Sequence, residues 1–420
     1  MHHAVVFDDS PPALAPLVDL RASFEIRTGA LTTIERHASM LSRRGLRLAA
    51  IHVHPDLAPL TREQIAPDLA LAQLPSNGEA LLLNGGCPLP PDEAFDLAPG
   101  SALRDPGTAR IIAARLSASD ARAFLDARAL PSAAVVRDHH QPCLIDQPWD
   151  VIRFRDAALD ADLRHLRPRE TQRPPAAVTA INENDIHLSA SASIFPTTVL
   201  DADKGPIVID DHAVVRPGAI IIGPAYIGPR STVLDRTLIK QHTAIGPVCK
   251  VAGEIGGTIF QGFANKAHDG HLGDSWVGCW ANLGAGTTNS NLLNTYAHVI
   301  AQAAPDATRQ RTGLQFLGVI VADHVKTAIL TRIMTGSVFG TGSMIAALTP
   351  PTVVGRLEWL TDDPGRGVKR QPYRLDKFLD VARAAMARRN ITPSDAYERR
   401  LASLERSPSH AGATSHSGAA

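Results

Sequence analysis

A six-residue period governs residues 209–249 of this chain. Stepping by six from Ile209 gives Val215, Ile221, Ile227, Val233, Ile239 and Ile245, all aliphatic. Four residues after each stands a small side chain: Ala213, Ala219, Ala225, Ser231, Thr237, Thr243 and Cys249. A helix repeats every 3.6 residues and would scatter the aliphatic set around its axis. A strand repeats every two and leaves the small residues unexplained. A triangular coil accounts for both. Each hexapeptide forms one short side, and three sides, about 18 residues, close a turn. The aliphatic residue points inward and stacks on its counterparts above and below. The small residue sits near the corner, where a bulky one would clash. The period therefore predicts a left-handed parallel β-helix, an exception to the right-handed crossover rule.

The phase returns at Val277 and Leu283, with Ala281 and Thr287 in the small positions. It returns again at Val321, Thr327, Ile333, Phe339 and Ile345, partnered by Val325, Thr331, Ser337 and Ser343. Thr327 is polar where an aliphatic is expected. Between these stretches, residues 253–268 and 295–315 read as loops leaving the coil, and loops of that length in a repeat protein are functional candidates.

A chain of 420 residues is too long for one ordinary core. Residues 1–165 alternate strand and helix patterns: "AVVFDD" (Ala4–Asp9), a helical "LTTIERHASMLSRRG" (Leu31–Gly45), "LRLAAIHV" (Leu46–Val53) and "EALLLNG" (Glu79–Gly85). This order predicts an α/β (Rossmann-like) domain on a largely parallel sheet. Residues 166–180 are proline-rich and charged and read as a linker. The β-helix is expected over 181–350 and ends at Pro350–Pro351. Residues 351–406 read as C-terminal helices. There Leu375, Phe378, Leu379, Ala382 and Met386 share one helical face, and Thr392 and Pro393 open a second helix. The tail, 407–420, holds nothing to bury and is expected to be disordered.

Acidic and basic residues balance at 42 each, so neither nucleic acid nor an anionic membrane is an expected partner. Cys87, Cys143, Cys249 and Cys279 show no CxxC spacing, and the start lacks an apolar export segment. Reduced thiols in a cytoplasmic protein are the expectation.

The densest polar stretch is Asn265–Asn291, "NKAHDGHLGDSWVGCWANLGAGTTNSN". One coil turn separates His268 from the "GAGT" segment, so a basic side chain is expected beside backbone amides. This stretch resembles the "HLxYLGDxxIGxxxNIGAGTxxxN" segment of the bifunctional N-acetylglucosamine-1-phosphate uridyltransferase/glucosamine-1-phosphate acetyltransferases. "GLQFLGVIVADHVKTAILTRIMTGSVFGTGSM" (Gly313–Met344), "LAPLVDLRASFEIRTGALTTIERH" (Leu14–His37) and "LLLNGGCPLP" (Leu81–Pro90) are similar to signatures of a divergent branch of that family.

The resemblance implies a sugar nucleotidyltransferase-like first domain, a trimeric coil and acetyl transfer from acetyl-CoA to an amino-sugar phosphate, feeding UDP-N-acetylglucosamine-type cell-envelope precursors. It gives His268 the general base's place, with His271, Asn282 and Lys326 toward the sugar phosphate. Ala285, Gly286 and Asn291 fall toward acetyl-CoA. His271 stands where the family has tyrosine, and Leu292 replaces an aromatic, which leaves the acceptor sugar open. In the first domain Arg21 and Arg27 are candidate phosphate ligands for UTP. Asn84 stands where an aspartate holds Mg2+, and Asp8 or Asp9 could hold that metal. The usual glycine-rich loop and lysine are missing, so uridyl transfer and a binding or regulatory remnant both stay open. Two other classes remain. One is a zinc site of the carbonic-anhydrase kind from His268, His271 and His298 or His242. The other is a non-catalytic scaffold. Each named polar residue also has a plain reading, as a solvated loop side chain, a coil ladder or a structural ion pair.

Overall fold

A computed structural model describes residues 3–65, 70–71 and 78–406; the predicted tail lies outside them. The N-terminal domain contains β1 (His3–Phe7), α1 (Thr33–Arg43), β2 (Arg47–His52), α2 (Ala58–Gln64), β3 (Ala70–Leu71) and β4 (Glu79–Asn84). It continues through β5 (Ser101–Arg104), β6 (Ile111–Ser117), α3 (Ala118–Ala127), β7 (Val135–Asp138) and α4 (Asp150–Leu163). The sheet order is β3-β2-β1-β4-β6-β5-β7. It is parallel except where β6 runs against β4 and β5. α1 starts at Thr33 because Thr32 caps it: the Thr32 hydroxyl accepts from the Glu35 amide, and Glu35 accepts from the Thr32 amide at 2.7 Å. Gly45, at φ +69, ends the helix region.

Residues 179–361 wind into the β-helix. Its strands stack in parallel, and over the regular stretch the partners are 18 residues apart: Ile209 pairs with Ile227, Val215 with Val233, Ile221 with Ile239. All seven predicted inward aliphatics are fully buried, as are their small partners. This column is the main core of the molecule.

Two features differ from the expectation and one agrees with it. Residues 253–268 stay in the coil, as strands Glu254–Gly256, Ile259–Phe260 and Asn265–Lys266. Partner spacing there falls to 15 between Lys250 and Asn265, so the six-residue phase is lost while the coil persists. Residues 295–315 do leave it, as a hairpin pairing Ile300–Ala301 with Gln310–Arg311. The coil also runs past Pro350: Val354 pairs with Phe339 and Leu360 with Ile345, and a hairpin of Glu358–Asp363 with Gly367–Pro372 follows.

One face of the coil is buried on both sides, as parallel sheets usually are. Its outward residues Val208, Tyr226, Ala244, Ile259, Trp276 and Ile320 pack on Leu14, Leu17, Ile26, Trp149, Ile152 and Leu159 of the N-terminal domain. Helix α5 (Leu375–Ala387) and α6 (Asp395–Ser403) close the junction. Phe378, Ala382, Met386, Tyr397 and Leu401 pack on Leu20 and Leu60 from the first domain and on Trp280 and Leu357 from the coil. α6 begins later than the Thr392–Pro393 signal, because Ser394 supplies the cap by accepting from the Tyr397 amide at 3.1 Å.

His37 on α1 is fully buried, with Nε2 2.8 Å from the Cys87 carbonyl. Burial lowers its pKa to about 4, against the opposing pull of that bond. The folded pKa lies below the unfolded value, so the stabilisation is present above pH 6.5 and is lost as pH falls toward 4. Urea unfolding should show about 3 kcal/mol of stability lost across that window, and His37→Gln, which keeps a donor but cannot titrate, should flatten that part of the profile.

Candidate functional site

His268 is exposed at the corner that follows strand Asn265–Lys266. It shares a crevice of about 700 Å3 with Asp235, Ala252, Asp269, Ala285, Gly286 and Leu330. The corner is held close to the next turn: the Gly286 amide donates to the Asp269 carbonyl at 3.1 Å. Two glycines are required by this contact. A Cβ on Gly270 would come 2.1 Å from the Thr287 carbonyl oxygen, and one on Gly286 would come 2.6 Å from Leu330. Gly286 also has φ +70. The imidazole therefore faces a turn whose backbone a side chain cannot screen.

The other residues predicted for acetyl transfer are not in this crevice. Asn282 and Lys326 sit outward on one coil face, in register with each other and with Asn265. They line a second pocket of about 290 Å3 with Trp280 and with Arg388 and Arg389, which directly follow α5. Burial lowers the Lys326 pKa to about 8, and its ammonium donates to the Trp280 carbonyl at 3.2 Å. His271 turns to Glu254, 3.4 Å away. Asn291 donates to Asp274 at 2.7 Å, and Asp274 pairs with Arg155 of α4. Within one chain the structure thus brings His268 together with Ala285 and Gly286, and Asn282 with Lys326. It leaves His271 and Asn291 apart from both.

The N-terminal candidates are largely committed to the frame. Arg21 forms a buried ion pair with Asp323 of the coil, its Nη2 donating to both carboxylate oxygens at 2.8 and 2.7 Å. The Arg27 amide donates to Gln261 at 2.8 Å, and its guanidinium donates to the Ala30 carbonyl. Asn84 is buried, donating to the Ile111 carbonyl and accepting from the Gly86 amide, both at 2.8 Å. Asp8 accepts from Ser10, from the Ser23 amide and from the Ser23 hydroxyl. Burial raises the Asp9 pKa, against the pull of Arg110 and Arg128. Two guanidiniums beside Asp9, and hydroxyl and amide donors on Asp8, do not fit a magnesium site. The four cysteines are free thiols. Within one chain, among the described residues, the group able to meet at one ion is Glu93, His139 and His140, which includes none of the histidines named for a zinc site between subunits.

Pattern reading missed Asp323, Trp280, Arg388 and Lys266. The last was legible in principle as a charge one coil after Val251, but the 15-residue step hides it.

Residues 4–170 match the model of a family described as sugar nucleotidyl transferase. The fold is thus a nucleotidyltransferase-type α/β domain joined to a hexapeptide-repeat β-helix. Within that class the chain resembles the bifunctional proteins GlmU, at a divergent level. It is 31% identical over 149 residues to one from Methanococcus maripaludis, covering 34% of each chain. To one from Acaryochloris marina it is 24% identical over 143 residues, 29% of this chain and 31% of the relative. The chain therefore spans about a third of the length of these relatives. A solved UDP-N-acetylglucosamine acyltransferase from Campylobacter jejuni overlaps 54% of this chain and 94% of its own, at 12% identity and TM-score 0.25; the architecture above rests on strand registers instead. Among the described residues no helix is long and apolar enough to cross a membrane.

The Arg21–Asp323 pair predicts an asymmetric cycle. Arg21→Met should cost about 3–5 kcal/mol in chemical unfolding, because it strands a buried carboxylate. The double replacement of both residues by methionine should restore most of that loss.

Proposed function

We propose that this protein is an acyltransferase that moves the acetyl group of acetyl-CoA onto the amine of an amino-sugar phosphate. The observation that carries the reading is the exposed His268 imidazole set against the Ala285–Gly286 turn in an open crevice. A neutral imidazole has a ring nitrogen with a free lone pair, which suits removal of a proton from the attacking amine. Attack on the thioester carbon forms the amide and expels the CoA thiolate, which takes up a proton. Unscreened backbone at the Gly286 turn leaves room for the acyl group to approach. Asn282 and Lys326, in the second pocket with Arg388 and Arg389, offer cations and an amide for the phosphates of sugar or CoA.

Ile329 and Leu330 are 66% and 59% exposed and line the crevice. An apolar edge of this kind favours a homotrimer in which a neighbouring coil covers it and completes the site. Cytoplasmic supply of a UDP-sugar precursor is the role that fits the resemblance. For the first domain the remnant reading is favoured over uridyl transfer with UTP and Mg2+, because Arg21 and Asn84 are consumed by structural bonds and Asp8 and Asp9 do not fit the metal.

Free-thiol release from acetyl-CoA across a panel of amino-sugar phosphates tests the activity. His268→Ala should lower kcat by roughly 100-fold or more with assembly unchanged; unaltered turnover removes His268 as the base.

A further inference from the structure

The inward column of the second coil face reads Ile194, Val215, Val233, Val251, Lys266, Leu283, Thr327, Ile345 and Leu360. Lys266 is 1% exposed in this apolar stack. Its ammonium donates to the Ala252 carbonyl at 3.0 Å and to the His268 carbonyl at 2.8 Å. These carbonyls belong to corners of successive coils, so the lysine runs inside the prism and ties one corner to the next. A Cβ at Gly253 would come 3.1 Å from the ammonium. Thr327, the other polar residue of the column, holds the facing wall from inside. Its hydroxyl accepts from the Gly284 amide at 3.0 Å and lies 2.8 Å from the Thr287 hydroxyl.

Burying an ammonium between Val251 and Leu283 is unfavourable where an aliphatic side chain would pack. Burial accordingly lowers the Lys266 pKa to about 8, with Asp269 at the crevice acting in the opposite direction. A rule broken in the core directly behind an exposed histidine points to what the lysine holds. Among the described residues, Lys266 is the column side chain with a hydrogen bond to the His268 corner, and the His268 imidazole has no hydrogen bond that would orient it from outside.

We propose that Lys266 is the positioning residue of His268: its ammonium fixes the His268 carbonyl from within the coil and so aims the imidazole at the Ala285–Gly286 turn. The proposal rests on the acetyl-transfer reading, and its test separates the two. In full-length protein, Lys266→Met fills the column without the ammonium, and Leu283→Met is the control for repacking alone. Hydrogen exchange of the amides of residues 267–270 should speed up at least about tenfold in Lys266→Met, with exchange over residues 209–245 unchanged. In the same variant kcat should fall by roughly 10- to 100-fold while KM for acetyl-CoA stays within about twofold. Leu283→Met should show neither effect. Unchanged exchange at 267–270, an equal change in the control, or full kcat in Lys266→Met each overturns the proposal. The exchange measurement needs no substrate. A protein that transfers no acetyl group would sink the functional reading and still report whether Lys266 fixes the corner.

Discussion

The structure depends on side chains of every sixth residue stacking along the inside of a three-sided coil. From Ile209 to Ile245 each aliphatic in the column is fully buried by its neighbours in adjacent turns, so no single turn is stable by itself, and the coil is set by summed nearest-neighbour contacts. That column also determines where chemistry can sit. Inward positions are mostly occupied by packing, strand residues facing out are used for docking or line the second pocket, and corners bring backbone and side chains to the surface at close quarters. His268 is at a corner, and its crevice is the space between two corners held by the Gly286–Asp269 contact.

The N-terminal domain has been drawn into the same construction. The segment between β1 and α1, where nucleotide ligands were expected, is threaded against the coil and the C-terminal helices. Asp19 pairs with Arg356, Arg21 with Asp323, and the Arg27 carbonyl accepts from the Trp276 indole. Charges that could meet phosphates meet carboxylates instead. Such an arrangement turns a ligand loop into a joint.

Much of this was legible in sequence, for a local reason. Hexapeptide neighbours are 18 residues apart in a regular pattern, so Ile209 to Ile245 declared the coil without any knowledge of the rest. The reading failed where the geometry stops being regular. Shortening the turn to 15 residues between Lys250 and Asn265 erased the period and made coil look like loop. It also hid the inward place of Lys266. Proline at 350 and 351 suggested an end, yet strand partners resume at Val353. The nucleotide candidates misled because their true partners are distant: Arg21 and Asp323 are 302 residues apart, and no local pattern links them. One signal was present and passed over. Val208, Tyr226 and Ala244, also 18 apart, are apolar on the outward side of the strands, which marks that coil face as covered. At the crevice, spacing put His268 beside the glycine turn but gave no means of separating Asn282 and Lys326 into a second pocket.

The doubly buried face of the coil has one further consequence. Leu14, Leu17, Trp149 and Ile152 share a cluster with Val208, Tyr226 and Trp276, so the boundary between the halves in sequence is not a boundary in the hydrophobic core. A fragment ending near residue 165 would carry that apolar surface into water and invite aggregation. Heat should melt both halves in one cooperative transition, because neither can let go of the other without opening its own interior.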